Sequence, residues 1–104
     1  MLTYQYDEHV IQISETANND DTEFRIRIIQ EQPYWDAMKE VQKEFEHNRV
    51  HTDVLFYLYP NHEFHAIVRK EYYADFVLEL MKHRLLQKVE WPSAPSPASA
   101  PLRS

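Results

Sequence analysis

Apolar and polar positions alternate along two early stretches of the chain. In HVIQISE (9–15), Ile11 and Ile13 fall on one side, and Val10 and Gln12 fall on the other. In EFRIRII (23–29), Phe24, Ile26 and Ile28 share a side, while Arg25 and Arg27 share the opposite one. A period of two marks a half-buried strand. The residues between, TANNDDT (16–22), have the composition of a turn. The pattern predicts an N-terminal antiparallel hairpin.

The period changes at Pro33. Tyr34, Met38, Val41 and Phe45 recur at spacings of four, three and four, which makes one apolar stripe on a helix over 33–48. Pro33 suits the first turn, where its missing N–H loses nothing. Asp36 and Glu40 lie early and His47 late, as the helix dipole favours. HTDVLFYLY (51–59) reads as a strand again, but with apolar residues on both faces: Val54, Phe56 and Leu58 on one, Leu55, Tyr57 and Tyr59 on the other. A two-faced strand lies centrally in a sheet, under a second layer or against a partner. PNHE is a turn, and EFHAIVRK (63–70) is the returning strand, with Phe64, Ala66 and Val68 opposed to His65, Ile67 and Arg69. A second helix over 71–85 carries the stripe Tyr73, Phe76, Val77, Leu80 and Met81, and LLQKVEW (85–91) forms a short final strand.

The predicted order is ββαββαβ. Without its first strand this is the split βαβ arrangement of ferredoxin-like folds. The expected architecture is therefore an α+β domain over 1–92, an antiparallel sheet with two helices on one face. After Pro92 the composition shifts to Pro, Ala and Ser, so residues 93–104 are expected to be a disordered tail.

Composition narrows the chemistry. The 104 residues include no cysteine, which removes thiol nucleophiles, thiolate metal sites and disulfides. They include no glycine, which removes phosphate-cradling loops and dinucleotide fingerprints. Positive-φ positions must fall to Asn, Asp or His, for which ANNDD (17–21) and PNH (60–62) are the places. Eleven basic residues against 17 acidic ones give a net charge of −6. That field opposes nucleic acid and anionic membranes, and the missing glycine of the RNP1 pattern argues against the RNA-recognition reading that the element order invites. The N-terminus has neither a basic start nor an apolar run, and the longest uncharged stretch, Val54–His62, is too short to span a bilayer. The expected location is the cytoplasm.

Two histidines, His62 and His65, stand three apart in the densest aromatic stretch. With Asp53 and Glu63 they are the candidate metal or haem set. They straddle a turn and a strand, however, and neither an HExxH pattern nor an EF-hand loop accompanies them, so no cofactor is expected. Ser14 is the only serine outside the tail, which leaves no Ser/His/Asp triad. No catalytic residue stands out. The sequence favours a non-enzymatic interaction or regulatory module that binds a second copy of itself or another protein through a sheet face. Leu55, Tyr57, Tyr59, His65 and Ile67 are the interface candidates. The rival expectation is a dimeric α+β-barrel enzyme, or a metal- or haem-binding protein using the His62/His65 region, because small barrels of that kind share this length and element order.

Overall fold

A computed structural model describes residues 2–48 and 54–92. It is an α+β domain with two helices and antiparallel strands. In chain order the elements are β1 (Thr3–Gln5), β2 (Ile11–Ala17), β3 (Asp21–Ile28), α1 (Glu31–Asn48), β4 (Val54–Tyr59), β5 (Glu63–Arg69), a 3₁₀ turn (Lys70–Tyr72), α2 (Tyr73–Lys82) and β6 (Lys88–Glu90). Gln32 keeps extended backbone angles (φ −102°, ψ 121°), so the regular part of α1 begins at Pro33.

Four strands form the main sheet in the order β2-β3-β5-β4, and every neighbouring pair is antiparallel. In it β5 lies between β3 and β4, the two strands that α1 connects. The final strand departs from expectation. Seven register pairs, from Ile11↔Ile28 to Ala17↔Thr22, hold β2 along β3 and occupy the edge that a last strand takes in a ferredoxin-like sheet. The three residues of β6 pair instead with β1, a strand that the alternation did not reveal.

Register fixes the two sheet faces. One carries Ile13, Ile26, Phe64 and Leu58 in one row, and Glu15, Phe24, Ala66 and Phe56 in the next. Both helices cover this face. Phe76 of α2 is the hub: its ring lies 4.7 Å from Phe24, 5.7 Å from Phe45 of α1 and 6.0 Å from Phe56. Trp35 of α1 packs at 5.1 Å from Phe64. Met38, Val41 and Phe45 bury the predicted stripe of α1, and Phe76, Val77 and Leu80 bury that of α2. Met81, expected on that stripe, is exposed.

Without glycine, three other residues among those described take positive φ: Asn61 (66°), His62 (60°) and Arg84 (65°). The first two are in the predicted turn, whereas among 17–21 none does. Arg84 closes α2. Its N–H donates to the Met81 carbonyl and that of Leu85 to the Leu80 carbonyl, both at 3.0 Å, which is the Schellman closure usually given to glycine. The proposed tail and Asp53 lie outside the described residues. Among the described residues no helix is long and apolar enough to cross a membrane.

Candidate interaction face

The sheet face away from the helices is a grid of three rows across β2, β3, β5 and β4. Thr16, Glu23, Ile67 and Leu55 form the first row; Ser14, Arg25, His65 and Tyr57 the second; Gln12, Arg27, Glu63 and Tyr59 the third. Chemistry is graded along each row. It runs from neutral polar side chains on β2, through charges on β3, to aliphatic and aromatic side chains on β4. This grading follows from the sequence. Alternation in β3 sends every charge to one face, whereas β4 has no polar side chain to send. Leu55, Tyr57 and Tyr59 are 40%, 47% and 45% exposed. The five interface candidates thus share one face, and it is the face that the chain's own helices leave bare.

An ionic chain runs beside the apolar strip. Arg27 Nη2 lies 3.4 Å from Glu63, His65 Nε2 lies 2.7 Å from Glu63, His65 Nδ1 lies 3.5 Å from Glu23, and Arg25 Nε lies 3.8 Å from Glu23. The His65 ring also stacks on Tyr59, with centroids 4.1 Å apart. A histidine between two carboxylates and under an aromatic ring is a fixed side chain, and Tyr59 is held with it. The hydrogen bond from His65, with Arg27 beside it, holds the Glu63 carboxyl below the usual carboxylate range. A shallow depression over the β2–β3 half is lined by Gln12, Ser14, Arg25, Arg27 and Glu63.

Among the described members of the candidate metal set, His62 does not join Glu63 and His65. His62 turns to the helix side, where Nε2 lies 3.4 Å from Glu31 and the ring meets Trp35 edge-on at 4.8 Å. His65 and Glu63 remain on the bare face. The reason is the turn itself: two consecutive positive-φ residues, Asn61 and His62, swing His62 out of the β5 alternation. Among the described residues there is no group of three or more His, Asp or Glu side chains arranged to hold a metal ion.

Sequence reasoning missed a second polar cluster. Glu15 points to the helix-covered face, and the hydroxyls of Tyr4 and Tyr73 both donate to its carboxylate, Tyr73 at 3.0 Å. Burial, reinforced by the adjacent Glu15 charge, pushes both phenols above the ordinary tyrosine value. Neither phenol is thereby prepared to lose a proton, so the trio ties β1, β2 and α2 together rather than forming an acid–base site. Its signal was available: Glu15 is in phase with Ile11 and Ile13, an acid at an inward position. Tyr6 completes the tie, since its hydroxyl donates to the Ile13 carbonyl at 3.1 Å on the outer edge of β2.

In comparisons with known proteins, no family model, curated protein or solved structure matches the chain.

Proposed function

We propose that the chain is a small cytoplasmic interaction or regulatory module of ferredoxin-like type, with β2 in the place of the last sheet strand, and that it is a homodimer joined through the bare sheet face. The observation that carries this reading is the apolar strip of Leu55, Tyr57, Tyr59 and Ile67, with the stacked His65, opposite the helices. Scattered exposed apolar residues are ordinary on a protein surface, but a contiguous strip on one element is the mark of an interface. Each half-exposed side chain on it offers about 1 kcal/mol on being covered. The tyrosines bring large contact area at low conformational entropy, as hot-spot residues do.

The test is association of Tyr57→Ala and Tyr59→Ala chains. Neither side chain is in the core, so both variants keep the wild-type circular dichroism spectrum while dissociating at concentrations where the wild type is dimeric. Wild-type behaviour of both variants would refute the reading.

A further inference from the structure

We propose that the second copy docks face to face about a two-fold axis that runs across the strands along the middle row, so that Glu23 of each copy meets the partner's Arg27. This inference rests on the homodimer reading above and specifies its geometry.

Two gradients on the face bear on this axis, and the apolar one selects it. The first is apolar. Aligned sheet packing keeps strand directions within about 30° of each other, so the full overlap of two such faces leaves two simple two-fold choices. An axis along the strands stacks each β4 on the partner's β2, and so sets Leu55, Tyr57 and Tyr59 against hydroxyl and amide side chains. An axis across the strands stacks β4 on β4, with Leu55 over the partner's Tyr59 and Tyr57 over its own counterpart. Only the second arrangement covers the three β4 side chains with apolar surface, although on β5 it sets Ile67 over the partner's Glu63. The second gradient is ionic. Along β3 the first row carries Glu23 and the third carries Arg27, four residues apart on one face. The axis across the strands exchanges first and third rows, so Glu23 of each copy lies over the partner's Arg27, two contacts per dimer, where the axis along the strands would set Arg27 over the partner's Glu63. Packed sheets lie about 10 Å apart, a gap that a glutamate and an arginine reaching toward one another can close. The middle row opposes Arg25 to its counterpart, and each Arg25 keeps the Glu23 of its own chain 3.8 Å away. An isologous interface requires this self-complementarity of a single patch.

The experiment is a charge-exchange mixing assay read by sedimentation velocity. Glu23→Arg alone sets arginine against arginine, and Arg27→Glu alone sets acid against acid. Each is expected to weaken its own homodimer by about tenfold or more. An equimolar mixture restores both contacts in a heterodimer, with a dissociation constant near the wild-type value. Contacts that these substitutions break within a chain are not repaired by mixing, so recovery reports the cross-copy contact alone. Should a charge variant fail to fold, the chain's lack of cysteine supplies a second measurement. Gln12→Cys and Thr16→Cys sit on exposed polar positions of β2, in the third and first rows. A short bis-maleimide is expected to join a Gln12→Cys chain to a Thr16→Cys chain, and not to join either variant to itself. A mixture no tighter than the single variants, or cross-linking without this row preference, overturns the axis. If Tyr57→Ala still dissociates the wild-type dimer, that result leaves the homodimer reading standing. A wild type that sediments as a monomer throughout overturns both.

Discussion

Glu15 shows how one residue out of pattern can be structural. It stands in a row with Phe24, Ala66 and Phe56, and it is tolerated there because two phenols donate to it. Loss of one donor to a charged acceptor leaves that acceptor poorly satisfied, so Tyr73→Phe should destabilise the fold by about 1–2 kcal/mol in urea titrations. The same trio sets an alkaline limit. Unfolded tyrosines release their protons near pH 10, while folded Tyr4 and Tyr73 retain theirs. The folded state therefore binds more protons above that point, and its stability falls as pH rises through it. An absorbance titration should show two of the seven tyrosines ionising only as the chain unfolds. Glu63 acts at the other end of the scale. Its carboxyl is held below the usual range, so its contribution is present at neutral pH and fades as pH falls below that range. His65→Asn removes the main cause and should flatten the acid limb of the stability profile. Arg84 stands where glycine is the usual helix terminator, at φ 65°. Arg84→Gly should raise stability by about 0.5–1 kcal/mol, measured by denaturant midpoint, because a side chain in the left-handed region is disfavoured.

At the scale of elements, periodicity carried most of the fold. The stripe Met38, Val41 and Phe45 in α1, the alternation of Phe24, Ile26 and Ile28 in β3, and that of Phe64, Ala66 and Val68 in β5 all face the core as the spacing predicts. One strand, and the partner of another, were beyond such reasoning for a physical reason. β1 has three residues, too few for a period to register, and β6, expected within 85–91, pairs with it across nearly the whole chain. The free edge of β3 is taken by β2, so β6 pairs with β1 instead, a choice that no local pattern encodes. The candidate face was half legible. Alternation grouped Leu55, Tyr57, Tyr59, His65 and Ile67, but which side the helices cover depends on long-range register. His62 eluded assignment because its direction follows from backbone angles in the turn. Phe76 joins both helices to the sheet through its contacts with Phe24, Phe45 and Phe56. Phe76→Ala should cost about 3–5 kcal/mol, a large part of the stability of a domain this size, and calorimetry should show the loss.

The whole molecule has two unlike surfaces. On the helix side most of the sheet is buried, and Leu58 at the β4 edge is 61% exposed. The bare sheet face is graded from amide and hydroxyl through alternating charge to tyrosine and leucine. The central claim is that a second copy covers this face, and sedimentation equilibrium tests it most directly. A chain of 12.6 kDa should run at twice that mass and revert to 12.6 kDa on Tyr57→Ala, with its circular dichroism unchanged. A wild type that remains at the single-chain mass to millimolar concentration would contradict the account.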